Sequence, residues 1–420
     1  MPKTIAEKIL SAKSGCDAHA GDIVVCTVDW VLGTDASTPM AIDYFEKMGG
    51  ERLYDAARVR FALDHYSPPT SPTTIALHDR VRAFAAEHGV LVWDVGEGIS
   101  FQKLVERGSA LPGDLIIGAD SHTVTCGALN LFATGVGSSD LAAAMITGQA
   151  WLRVPETIKV VLTGARAKGV SAKDTALALV EVIGADGANY QALEFHGPSI
   201  PAFTLEERLV VSNLAVETGA KAAIFPADAA TWAYLDPWTK YRGSVVSPDP
   251  DARYAREITL DLAKLSPRVA LPHKPDNVVS IEAAAGTPID MVFLGTCTGG
   301  RVADIHEALA TLERAGGVIA PGVQFVVTPA SRDVQERLRQ DGTLRRLEAM
   351  GAIVTTAGCG ACCGTSGVIP RDGTNVLSAA NRNFKARMGN ATASIYLASP
   401  AACGAAAATG RITDPRTVGA

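Results

Sequence analysis

A chain of 420 residues exceeds one ordinary domain of about 150 residues and reads as two to three units. Hydrophobic residues make up 47% and charged residues 20%, enough apolar material for large buried cores and against intrinsic disorder. The net charge of −6 leaves no basic surplus for a phosphate backbone, which excludes nucleic acid as the main partner.

The N-terminal run from Met1 to Leu10 lacks the apolar core and small-residue cleavage site of a secretory leader. No segment reaches the roughly 18 apolar residues that span a bilayer, so no membrane association is expected. Eight cysteines, unevenly spread, do not make a secreted disulfide framework, and a cytoplasmic, reducing setting follows. Short β-branched runs at Gly21 to Val28, Gly113 to Gly118, Ile158 to Thr163, Met291 to Gly295 and Val323 to Thr328 predict buried strands. Between them lie helical patterns, among them Ser139 to Leu152, capped by Ser138 or Ser139, and the run starting at Ser331. Such alternation predicts layered α/β domains. A Pro-rich and aromatic-rich stretch from Tyr234 to Pro250 reads as a surface excursion, and Leu271 to Asp276 reads as a linker. The expected units are 1–190, a smaller 191–271, and 272–420. Ala401 to Thr409 predicts a small-residue helix.

Cys297 directly follows an apolar strand-like run, and Cys359 and Cys362 form a C-x-x-C in a Gly-rich turn. Soft thiolates select zinc or iron-sulfur clusters, and glycines let backbone N–H groups approach the sulfurs. A structural zinc needs a fourth ligand, which only Cys363 or Cys403 supplies in this part of the chain, since no histidine follows His306. Spacing alone leaves zinc and iron-sulfur open. Cys16, Cys26, Cys126 and Cys403 read as inert buried thiols.

Ordered along nearly the whole chain are Asp64-His65, Gly118-Ala-Asp-Ser-His-Thr, Phe132-Ala-Thr-Gly-Val-Gly-Ser-Ser-Asp, Ser212-Asn-Leu-Ala-Val-Glu, Gly295-Thr-Cys-Thr, Gly358-Cys-Gly-Ala-Cys, Asn381-Arg-Asn-Phe-Lys-Ala-Arg and Tyr396-Leu-Ala-Ser-Pro-Ala. In these motifs the chain resembles the aconitase superfamily, the large-subunit kind found in 3-isopropylmalate dehydratase and homoaconitase. The resemblance implies three layered α/β domains around a central 4Fe-4S cluster with a labile fourth iron. Cys297, Cys359 and Cys362 would be its ligands, with Cys363 a neighbour. It implies acid and orienting roles for Asp64, His65, Asp120, Ser121 and His122. A carboxylate beside an imidazole raises its pKa and fixes its tautomer. Arg382 and Arg387 would clamp substrate carboxylates, whose planar geometry suits guanidinium forks. Glu217 would join the catalytic groups, and Asn213 and Asn381 would bind substrate near the cluster.

The expected activity is dehydration and rehydration of a hydroxy di- or tricarboxylic acid such as 3-isopropylmalate, homocitrate or a substituted malate. The alternatives are hydration of a divergent malate without isomerisation, or a non-catalytic cluster-binding regulator. The swivelling fourth domain of single-chain aconitases is absent from this length, so a separate small subunit is expected. Four departures from the family pattern bear on the site. Phe101 stands where a histidine paired with Asp120 is usual, Gly299 replaces an asparagine, Lys385 an acidic residue and Ala361 a proline. An apolar ring cannot shuttle a proton, so Phe101 predicts that Asp120 has another partner or that substrate scope is altered.

Overall fold

The computed structural model describes residues 1–419. The first sheet is parallel throughout, in the order Leu91–Trp93, Val59–Ala62, Trp30–Thr34, Leu115–Gly118, Phe132–Gly135. Its central strand is buried along its whole length, as a strand covered on both faces must be. The second sheet, also parallel, runs Ala222–Ile224, Ala192–His196, Thr157–Thr163, Arg256–Asp261. The third has seven strands, in the order Val278–Ser280, Arg268–Ala270, Ser394–Leu397, Asn375–Ser378, Met291–Gly295, Gln324–Thr328, Ile353–Val354. Its first two strands are antiparallel additions to a parallel core. The layered α/β expectation is met, and among the described residues no helix is long and apolar enough to cross a membrane.

Sheet membership draws the units differently from the expected boundaries. Thr157–Thr163 belongs to the second sheet, not the first, and Arg268–Ala270 belongs to the third. Leu271 to Asn277 is therefore the turn of a hairpin, closed by Leu271 N–H on the Asn277 carbonyl, and not a linker. The helix expected from Ser139 to Leu152 spans Ser138–Thr147, with Gly137 at its N-cap and no side-chain cap. It ends at Gly148, whose φ of 70° lets its N–H turn back to the Ala144 carbonyl. The residues beyond it form the strand Gln149–Arg153, paired antiparallel with Ile23–Thr27 in a two-stranded ribbon. Ile23 and Val25 face outward on that ribbon, so this strand is only half buried. Ser331 caps Arg332–Gln340 as expected, its hydroxyl accepting from Val334 N–H, and the small-residue helix is Pro400–Thr409.

What positions the site is the direction of the strands. In the first sheet Thr34 pairs with Ala62 and Leu32 with Gly118, so Asp35, Asp64 and Asp120 all follow the carboxyl ends of neighbouring parallel strands. In the third sheet Cys297, Cys359 and Asn381 follow the carboxyl ends of Met291–Gly295, Ile353–Val354 and Asn375–Ser378. Ligand sites of open parallel sheets form at such ends. Here two sheets point theirs at one cavity. Backbone bonds clasp the two together: Cys359 N–H donates to the Asp64 carbonyl at 2.8 Å and Ile99 N–H to the Ala330 carbonyl at 3.1 Å.

Candidate functional site

The cavity between the two sheets is small, about 190 Å³, and it gathers Cys297, Cys359 and Cys362 with His65, Asp120, Ser121, His122, Asn381, Arg382 and Arg387. Two larger clefts, of about 620 and 610 Å³, bring together neither a cysteine nor a histidine. Side-chain chemistry, not volume, marks the functional site. Asp64, Asn213 and Glu217 do not line the cavity. They stand behind His65, Cys297 and His122.

His65 lies in a row of acids. Its Nδ1 is 2.8 Å from Asp64 Oδ1, and its Nε2 faces Asp120 Oδ2 at 3.7 Å. Burial opposes charge on the ring, but Asp64 and then Asp120 lift its pKa well above the ordinary value. The shift favours the protonated ring, whose Nε2 faces Asp120. The Asp64 carboxylate is itself anchored by Ser100 N–H at 2.9 Å. Motif reading passed over Asp35, which accepts from His65 N–H and Tyr66 N–H at 2.9 Å each and meets His78 Nε2 at 2.9 Å. Both are fully buried, and no spacing in the sequence pairs them. Asp35, Asp64 and His65 converge closely enough for a metal ion, yet Asp35 spends its oxygens on backbone donors and His78, as a loop organiser does.

His122 Nε2 meets Glu217 Oε1 at 3.0 Å, and Arg382 Nε donates to both Glu217 oxygens at 2.8 and 3.0 Å. Glu217 lies in the turn after Leu205–Ala215, which carries Asn213. Burial raises a carboxyl, but the His122 and Arg382 contacts hold Glu217 below its usual range. Asp120 is likewise held low against its burial by His122 and His65. Arg387 places Nη2 3.9 Å from Cys362 Sγ, while its buried Nε has no protein partner. Arg382 and Arg387 sit in an irregular turn and not on a helix face, with Lys385 exposed between them.

Around the sulfurs the polar groups form a net. Asn213 Nδ2 donates to Cys297 Sγ at 3.3 Å and to Thr125 Oγ1 at 2.9 Å. Asn381 Nδ2 donates to Cys297 Sγ at 3.2 Å and to Thr298 Oγ1 at 3.0 Å, while Thr298 donates to Asn213 Oδ1 at 2.7 Å. Thr125 and Thr298 escaped the sequence reading because a threonine carries no metal signature. Burial pushes the Cys297 thiol up to about 11, so it becomes a thiolate only beside strong positive charge, which a metal centre supplies. Among the described residues the one set of three Cys, His or carboxylate ligands within 4.8 Å of one another is Asp35, Asp64 and His65, so Cys297, Cys359 and Cys362 do not all lie that close, although Cys359 lies in hydrogen-bond contact with Cys362. Tetrahedral zinc would hold its sulfurs about 3.8 Å from each other. Cys403 packs in the third unit's core and Cys363 turns to Thr365 Oγ1 at 2.7 Å, so neither supplies a fourth ligand in the cavity. Three buried thiols with amide donors at Cys297 are a donor set that fits an iron-sulfur cluster. Cys26, Cys126 and Cys403 are buried as expected, whereas Cys16 is exposed in the turn that ends the first helix.

The departures find places. Phe101 is fully buried and packs in one apolar group with Ile99, Leu104 and Cys297, closing the cavity with an aromatic wall. Asp120 compensates by facing His65 and accepting His122 N–H at 2.8 Å. Gly299 packs against Ala379, whose Cβ would lie 2.5 Å from any Cβ at 299. Ala361 is buried inside the Cys turn, and nothing in the structure explains its replacing a proline.

The sequence pattern of the Aconitase family (aconitate hydratase) matches residues 7–288 and 282–410. The chain is 44% identical over 417 residues to 3-isopropylmalate dehydratase large subunit 1 of Methanopyrus kandleri, covering 99% of each. It is 45% identical over 419 residues to 3-isopropylmalate dehydratase large subunit 1 of Thermotoga maritima, again covering 99% of each. In fold it resembles the crystal structure of Thermococcus kodakaraensis aconitase X (holo-form), with a TM-score of 0.53 over 90% of this chain and 88% of that one, at 13% identity.

Proposed function

The chain belongs to the aconitase family as the large catalytic subunit of a hydro-lyase, and from that membership we propose that it dehydrates and rehydrates a hydroxy di- or tricarboxylic acid at a 4Fe-4S cluster. The candidate substrates are 3-isopropylmalate, homocitrate and substituted malates. Cys297, Cys359 and Cys362 hold the cluster, and Asn213 and Asn381 steady Cys297 through its sulfur. What the cluster supplies when bound is Lewis acidity at the iron that has no protein ligand. His65, kept protonated by Asp64, gives its Nε2 proton to the departing hydroxyl. Arg387, with its free buried Nε, and Arg382, braced by Glu217, hold substrate carboxylates. Ser121 and His122 orient the substrate, and Glu217 fixes the His122 ring.

The observation that carries this reading is the convergence of three buried cysteines, two histidines and two arginines on one cavity. The relatives' designation as large subunits supports a separate small subunit that completes the site. The test is anaerobic assembly with that subunit, iron and sulfide analysis, and turnover on a panel of malate derivatives. A colourless protein carrying zinc, or one that turns over none of them, defeats the proposal. A narrower reading, hydration of an alkyl-substituted malate without full isomerisation, draws on the aromatic wall at Phe101. Phe101→His should then favour substrates with a polar group at that wall, and an unchanged substrate profile would exclude it.

A further inference from the structure

Lys173 is a buried cation whose hydrogen bonds go to backbone carbonyls. It lies in the first turn of the helix Ala172–Ile183, in the second unit, is almost wholly buried, and does not line the cavity. Buried lysines are ordinarily paired with a carboxylate, and the one that favours its charge is Asp304, which lines the cleft of about 620 Å³ with it. Lys173 Nζ donates to two backbone carbonyls in the third unit, Ala379 at 3.0 Å and Ala380. Those two residues join the strand Asn375–Ser378 to Asn381 and Arg382.

A chain of contacts runs on from there. Ala379 lies against Gly299 so closely that a side chain at 299 would collide with it. Asn381 reaches the Cys297 sulfur at 3.2 Å, and Arg382 holds Glu217 at 2.8 Å. Gly299 belongs to the same turn as Cys297, so the turn held by Lys173 and the turn bearing the first thiolate are packed as one piece. Burial lowers the lysine to about 8, and Cys403, Asp304, Cys362 and Cys297 are the groups that favour its charge. Two of those four are sulfurs of the cavity.

We propose that Lys173 is a positioning residue of this hydro-lyase, fixing from outside the cavity the turn that presents Asn381 and Arg382 and placing a buried positive charge behind the sulfur ligands. The proposal rests on the cluster reading given above. A cluster gains negative charge on reduction, so a nearby buried cation favours the reduced form. A lysine that only tied down a loop would leave the redox potential where it was.

The experiment compares the reconstituted two-subunit enzyme with Lys173→Gln, which keeps a donor for the carbonyls and loses the charge, and with Lys173→Arg, which keeps both. Redox titration followed by electron paramagnetic resonance reads the cluster, and steady-state kinetics reads the turn. Expected for Lys173→Gln is a full complement of iron and sulfide, a potential shifted to more negative values, and a fall in kcat/KM of about tenfold. Lys173→Arg is expected to restore the parent potential. A clustered parent and Lys173→Gln sharing one potential overturn the proposal and leave the cluster reading standing. A Lys173→Gln protein that cannot fold beside a Lys173→Arg protein that can points to a purely structural tether, and overturns it as well. A parent that binds neither iron nor sulfide overturns the cluster reading and the proposal with it.

Discussion

At His65 the two ring nitrogens meet different carboxylates, Asp64 at 2.8 Å and Asp120 at 3.7 Å, and both raise the ring's pKa. The acid form is present below that raised value and is lost as pH climbs through it, so kcat/KM should fall on the alkaline side. Asp64→Asn removes the nearer charge and should move that alkaline limb down by about 1 to 3 pH units, read from the pH profile of kcat/KM. An unmoved limb would mean that another group is the acid. At the sulfurs, Cys359→Ser should abolish bound iron and sulfide together, checked by metal analysis after anaerobic reconstitution. These residues were legible in the sequence because their chemistry is rare and their motifs are ordered. Asp35 and His78 were not legible, since the pair closes across 43 residues and only the folded sheet brings it together.

Among the elements, parallel strands were the most legible part, because β-branched runs buried on both faces leave a continuous apolar signature. Legibility failed at their ends. The run expected to be helical through Leu152 breaks at Gly148, and a Trp- and Leu-bearing strand follows that no helical period separates from the helix before it. The small-residue helix Pro400–Thr409 shows why composition mattered more than period there. Gly404 comes so close to the helix Val302–Arg314 that an added Cβ would stand 2.2 Å from the Ala308 carbonyl. Gly404→Ala should therefore cost about 1 to 3 kcal/mol of stability, measured by denaturant unfolding of the isolated chain. The Cys297 turn is a second tight point. Thr296, β-branched, sits at φ 66°, a conformation that costs such a residue about 1 to 3 kcal/mol and that the surrounding packing must impose.

On the scale of the whole molecule, the proposed site is completed by a separate small subunit, as the relatives' designation as large subunits implies. The large subunit alone should give almost no turnover. Adding the small subunit should raise the rate in proportion until the two are equimolar, a titration that also reads their stoichiometry. Two sheets meet at this cavity and the second unit packs behind it, through loops that bond across unit boundaries, as with Cys359 on Asp64 and Lys173 on Ala379. Which sheet a strand joins was not visible in the sequence, because a strand's sheet is fixed by distant pairing and leaves no local mark.

The order in which the parts of this cavity occur along the chain has a consequence during synthesis. The imidazoles at 65 and 122 belong to the first sheet, while every thiolate ligand lies at or beyond 297. A ribosome adding about 5 to 20 residues per second delivers the first sheet roughly 10 to 35 seconds before the first ligand. The protein half of the site is thus folded and waiting while the metal half is still being translated. On the proposed reading, the sulfur donors of the site are complete only once the last unit has emerged.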